Sequence, residues 1–245
     1  MTIALWLFTA LLVAHVIYSV VSNRLFTGSQ PTGRLRTVHV LMQGPLFWVA
    51  TFIGFQDGAF SRELVSPLYI GMGLIAGHII FGLSVWATHH SWRDAWSHFF
   101  DFGPIWNFAM DSPIVLTRFI GVALAEELIW RVVAQKRLIE LLSPHLSAFA
   151  PAVGIALTAA AFAIVHKHFF ENTWFVSLEF CAFAVLLGVL YYWTNSFILV
   201  LVIHALRDIE IAYLEYLMKV EELGDKAQAA HAIEQTYRPG RTEGT

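Results

Sequence analysis

Apolar stretches long enough to cross a bilayer recur from one end of this chain to the other, and no other feature limits its fold as strongly. A helix of about 20 apolar residues spans the roughly 30 Å hydrocarbon layer. Stretches of that order fall at Thr2 to Ser22, Val38 to Phe55, Pro67 to Thr88, Pro113 to Leu142, Ala148 to His168, Trp174 to Tyr192 and Ser196 to Leu217. Inside lipid every backbone N–H and C=O must find a partner within the chain, which leaves helices or closed barrels. Barrel strands need only about 10 residues, so runs this long predict helices. The expected fold is all-α: a polytopic membrane bundle of about seven transmembrane helices.

Composition supports this. The 245 residues are 57% hydrophobic and only 13% charged, about half the charged fraction of ordinary soluble domains; mean hydropathy is +0.62. The net charge of −3, with no dense basic cluster outside short loops, gives nucleic acid no electrostatic footing. Cys181 is the single cysteine and lies in an apolar run, where it reads as a small buried hydrophobe. Thr2 to Ser22 lacks a basic leader and reads as a retained span rather than a cleaved signal.

The membrane domain is expected over residues 1–218, followed by a charged tail at 219–245 that begins as a helix end and continues as disorder. Between the third and fourth spans, "HHSWRDAWSHFFDFGPIWNF", His89 to Phe108, mixes Trp and Phe with His, Arg and Asp. That mixture suits an amphipathic segment at the headgroup level. "DSP" at Asp111 to Pro113 opens the fourth span, with Ser112 as cap and Pro113 in the first turn. "QGP" at Gln43 to Pro45 interrupts the second. Arg24, Arg34 and Arg36 favour a cytoplasmic first loop, whereas Lys136 and Arg137 argue for the opposite orientation. Gly73 and Gly77 sit at the spacing of close helix packing.

Charge within the spans demands a reason, because an ionisable side chain at mid-bilayer costs roughly 2.5 to 3.5 kcal/mol on insertion scales. "ALAEELIWRVVAQKR", residues 123–137, holds three such groups in six residues. Glu127 and Arg131 stand four apart with the acid on the N-terminal side, the favourable order for a helical ion pair. Glu126 points about 100° away around an α-helix and needs either a partner on another span or a proton, since burial favours the neutral acid. Other spans offer His166 in "FAIVHKH", and His204 with Asp208 in "HALRD". His15, His78 and His168 read as packing or interface residues. Glu126 lies about 20 Å beyond the start of its span and His204 about 12 Å into its own. For spans entered from opposite sides, both come to rest near mid-depth, with His166 shallower.

"EELIWR" (Glu126, Glu127, Arg131), "FAIVH" (Phe162, His166) and "HALRD" (His204, Asp208) resemble, in order and spacing, the three motifs of the CAAX protease and bacteriocin-processing family of glutamic-type intramembrane endopeptidases, written EExxxR, FxxxH and HxxxN or HxxxD. "LLGVLYYWTNSFILVLVIHALRD", Leu186 to Asp208, extends the likeness, which covers roughly residues 104–210. The resemblance implies that Glu126, as general base with His166 beside it, activates a water for attack on a peptide carbonyl. It also implies that the last motif stabilises the oxyanion, with His204 as a donor, and that Glu127, Arg131 and Phe162 support the site. Many relatives carry Asn where this chain has Asp208. An ionised aspartate only accepts hydrogen bonds, so Asp208 is either held protonated by burial or orients a neighbour. The implied partners are a membrane-anchored protein or peptide substrate and the membrane lipids, and no cofactor is expected.

Two other chemistries stay open. Glu126, His166 and His204 would also compose a two-histidine, one-carboxylate zinc site, although no HExxH is present. Intramembrane acids and histidines also carry protons or ions in transporters, which often show the inverted repeats and broken helices that are not evident here beyond "QGP".

Overall fold

The computed structural model describes residues 3–25, 33–62, 66–89, 93, 96–97 and 100–238, with side chains described at these positions except 23–25, 33–40, 87–89 and 167–168. Among the described residues the secondary structure is helical, with no strand. The helices are α1 (Ile3–Leu25), α2 (Gly33–Gln56), α3 (Pro67–His89), α4 (Phe102–Asp111) and α5 (Pro113–Glu127). A π-helix, Leu128–Gln135, follows without interruption. Then come α6 (Lys136–Leu146), a 3-10 turn (Ser147–Phe149), α7 (Ala150–Val165), α8 (Lys167–Glu171), α9 (Trp174–Thr194), α10 (Phe197–Leu223) and α11 (Lys226–Tyr237).

The pattern of burial is that of a membrane protein. On α1 the polar side chains His15 and Ser19 are buried, whereas Trp6, Leu7, Val13, Ile17 and Val21 are exposed. Water would enforce the reverse; lipid permits apolar side chains to face outward and gathers polar ones at helix contacts. α2 repeats the arrangement, with Leu41, Trp48, Phe52 and Phe55 along an exposed stripe and Leu46, Ala50 and Ile53 buried. The protein is thus an integral membrane protein. Four helical runs among the described residues are long and apolar enough to cross a membrane: Ile3–Ser22, Pro67–Trp86, Pro113–Val165 and Trp174–Thr194. The third contains two of the seven stretches read from the sequence, divided at Ser147, whose positive φ of 46° ends α6. α2 and α10 are long helices as well. Gln43 to Pro45 dilute the first, and Arg207, Asp208 and Glu210 stand midway along the second. Contrary to the expected interruption at "QGP", α2 runs through Pro45.

The chain divides into two compact units, residues 1–66 with 125–197, and 67–124 with 198–245. In the first, α1 packs on α2 and α7, α2 on the π-helix, and α7 on both α6 and α9. Asp57, just beyond α2, accepts two hydrogen bonds from Arg137 Nη2, at 2.7 and 2.6 Å, and lies 3.1 Å from Lys136 Nζ. The two cations that complicate the orientation argument are therefore paired locally.

In the second unit α3 meets α10 through glycine. A Cβ on Gly73 would fall 2.8 Å from Val202 Cβ, and one on Gly77 would fall 3.3 Å from Ile203 Cα. Close helix packing accounts for both residues. The expected interfacial segment lies partly outside the described residues; its described end, α4, is amphipathic, burying Ile105, Phe108 and Ala109 while Trp106 and Met110 are exposed. Ser112 separates α4 from α5, and its carbonyl accepts from Leu116 N at 3.1 Å, as an N-cap does.

Where the sequence predicts a disordered tail, the structure has a further helix. Gly224 turns the chain with φ 68°, and Asp225 caps α11 by accepting from the amides of Ala227 and Gln228. Ala229 and Ile233 are buried, Ile233 in a cluster with Val115, Ile209 and Tyr213. Arg118 donates to the Tyr237 carbonyl at 2.8 Å, and the Tyr237 hydroxyl donates to Glu215 at 2.7 Å. Burial, and next this bond to the Glu215 carboxylate, push the Tyr237 phenol above its ordinary value, so it stays a donor at neutral pH. Composition alone marks this stretch as polar. It does not show that Ala229 and Ile233, four apart on one face, have a partner surface waiting.

Candidate active site

The site is built where α7 stops. Its last residue is Val165, and His166 follows in extended conformation (φ −89°, ψ 124°). The final carbonyls of a helix lack intrahelical donors, and one of them, Phe162 O, lies 2.6 Å from His166 Nδ1. A carbonyl can only accept, so Nδ1 carries the hydrogen. In the neutral imidazole the other nitrogen, Nε2, is then the basic one. That atom faces Glu126 Oε1 at 3.4 Å. Both side chains are 20% exposed, so the pair is within reach of a small molecule such as water. A carboxyl and a basic nitrogen so placed can hold one proton between them, on either partner.

Behind this pair stands the buried support. Glu127 and Arg131 are fully buried and form the expected i, i+4 ion pair, with Nε to Oε2 3.4 Å. The Arg131 guanidinium lies over the Phe162 ring, 4.9 Å from its centroid, and Phe162 in turn packs against the His166 ring at 4.5 Å. A continuous run of contacts thus leads from Glu127 through Arg131 and Phe162 to His166. Residues of the first two motifs meet within the first unit.

The third motif lies on α10 in the second unit. His204 Nε2 and Asp208 Oδ2 are 3.7 Å apart, beyond hydrogen-bond length but within ion-pair range. His204 is buried and the Asp208 side chain is 17% exposed. The candidate residues therefore assemble as two pairs, Glu126 with His166 and His204 with Asp208. A cavity of about 640 Å³ in the second unit, lined by Asn107, Phe108, Asp111, Tyr213, Tyr216 and Lys226 among others, contains none of them. Among the described residues no group of three His, Cys, Asp or Glu side chains is arranged to hold a metal ion.

Some features of the neighbourhood escape sequence inspection. The segment after Glu127 is a π-helix where the fourth span reads as a continuous α-helix, and all of its residues except Ala134 are buried. π-Turns recur at functional sites, yet no spacing in "LIWRVVAQ" announces one. The last of these residues, Gln135, donates from Nε2 to the Gly188 carbonyl at 2.8 Å. A Cβ on Gly188 would fall 2.7 Å from Gln135 Oε1, so the glycine is needed for the approach. In the second unit His78 pairs with Glu210, Nδ1 to Oε1 2.5 Å, and both residues are buried. His78 is thus a partner in a buried polar pair, not merely a packing residue.

The model of one protein family, the type II CAAX prenyl endopeptidases described as Rce1-like, matches residues 107–209. Over these residues the chain is similar to that family. No curated protein and no solved structure matches. The Rce1-like segment includes Glu126, Glu127, Arg131, Phe162, His166, His204 and Asp208, and it ends one residue before Glu210. It agrees with the resemblance carried by the three motifs, and it supports a CAAX-type protease working in the membrane.

Proposed function

We propose that this protein is an intramembrane endopeptidase that hydrolyses a peptide bond of a membrane-anchored protein or peptide, using Glu126 and His166 to activate water. The observation that carries this is the pairing of Glu126 Oε1 with His166 Nε2, the nitrogen left basic by the Nδ1 bond to Phe162 O. Glu126 takes a proton from the water as its oxygen attacks the scissile carbonyl carbon. His166 Nε2 accepts a hydrogen bond from the carboxylic acid so formed and holds it in place. The same proton then passes to the leaving amine as the C–N bond breaks. His204 donates to the oxyanion that develops on the carbonyl oxygen. Asp208, 3.7 Å from His204 Nε2, orients the His204 ring for that donation, a task that suits an acid better than direct donation does.

The chemistry needs no metal. We expect cleavage by the purified protein to survive a chelator. A reporter for the assay comes from membrane-protein termini that disappear from cells lacking this protein. Cleavage unchanged by chelation supports the glutamate mechanism. Stoichiometric zinc whose removal abolishes cleavage, and whose return restores it, would make Glu126, His166 and His204 ligands instead.

A further inference from the structure

The buried pair formed by His78 and Glu210 lies outside the proposed chemistry and outside the Rce1-like segment. Glu210 is fully buried and His78 is 8% exposed. Two ionisable groups in a membrane helix contact are costly, and stability is a weak reason for them, since apolar residues of similar volume often serve as well. Their distinctive property is direction. Elsewhere α3 meets α10 where Gly73 and Gly77 face Val202, Ile203 and Leu206, an apolar contact that carries no bond direction of its own. A hydrogen bond between two particular atoms does carry one. The edge-to-face contact of the His78 ring with Phe102, 5.3 Å between centroids, further limits where the imidazole can point.

α10 has reason to be held. At 100° per residue, Glu210 projects about 120° away from His204 and about 160° from Asp208. Turning α10 by a single residue would swing both away from their present direction by about 100°.

We propose that His78 and Glu210 are positioning residues, whose directional bond sets the rotation of α10 and hence the direction in which His204 and Asp208 point. This rests on the role assigned to His204 and Asp208 in the proposed reaction. The test uses the full chain in lipid bilayers and three variants: Glu210→Gln, Glu210→Leu, and the double His78→Leu with Glu210→Leu. Each is measured for thermal unfolding and for kcat and KM on the membrane-anchored reporter. Glu210→Gln retains a hydrogen bond to Nδ1 and is expected to keep kcat near the parent value. Glu210→Leu and the double variant are expected to lose roughly 10²-fold in kcat, the scale of a misplacement of about 1 Å, with KM unchanged. The double variant removes both members of the pair together and is expected to melt near the parent temperature. It therefore carries the test even where Glu210→Leu fails to fold. A double variant that cleaves at the parental rate overturns the proposal, as does one that cannot fold, for then the pair only stabilises. Glu126→Gln is run beside them. Normal cleavage by that variant indicts the glutamate mechanism, whereas the positioning role is judged on the leucine variants.

Discussion

A Glu126→Gln variant is expected to fold normally and to lose cleavage by roughly 10²- to 10⁴-fold, the range in which a positioned general base contributes. The substitution isolates the chemistry because it preserves nearly everything else. Gln has the size of Glu, and its amide N–H can donate to His166 Nε2, the atom that Glu126 now faces at 3.4 Å. Partial exposure of both side chains keeps the effect on stability small, within about 0.5 kcal/mol. What disappears is the capacity to take a proton from water, because an amide oxygen is a far weaker base than a carboxylate. Rates under single turnover, with unfolding curves for both proteins, check this. Cleavage at the parental rate by the folded variant would remove the general base from the account. Altered ion flux with cleavage unaffected would point to the transporter chemistry.

The second large effect is on stability. Arg131→Met is expected to destabilise the first unit by about 3 to 5 kcal/mol, the cost of breaking a buried ion pair from one side. Glu127 is fully buried, and its carboxylate would lose the guanidinium 3.4 Å away. The cation over Phe162 would go too, a further loss of about 1 kcal/mol. Adding Glu127→Leu is expected to restore most of the unfolding temperature, because the stranded charge is then absent. If Arg131→Met melts like the parent, the pair carries no such weight in this helix bundle.

Much of this molecule is legible in one sequence, and the reasons are physical. Lipid forces backbone bonds to close within each helix, so the apolar runs translate directly into α1, α3, α7 and α9. The i, i+4 rule pairs Glu127 with Arg131, and mid-span charge leads to Glu126, His166, His204 and Asp208. Glu126 Oε1 lies 3.4 Å from His166 Nε2, just past the end of α7, a partner from elsewhere in the chain such as a carboxyl in a span calls for. Less could be read of features that depend on what packs where. The 128–135 π-helix and the passage of α2 through Pro45 depend on neighbouring helices and have no spacing of their own. α11 hides in a polar stretch because only Ala229 and Ile233 are buried. The His78 partnership with Glu210 joins residues 132 apart in sequence, a separation that no local rule bridges.

The sharpest test asks whether Glu126 and His204 serve one water. Glu126→Gln, His204→Gln and the double variant are compared by single-turnover cleavage, with folding verified for each. Groups that act on the same attacking water and the oxyanion it creates form a unit, and their losses do not multiply. The account predicts a double variant about as slow as the slower single variant; a double variant slowed by the full product of the two single losses would contradict it.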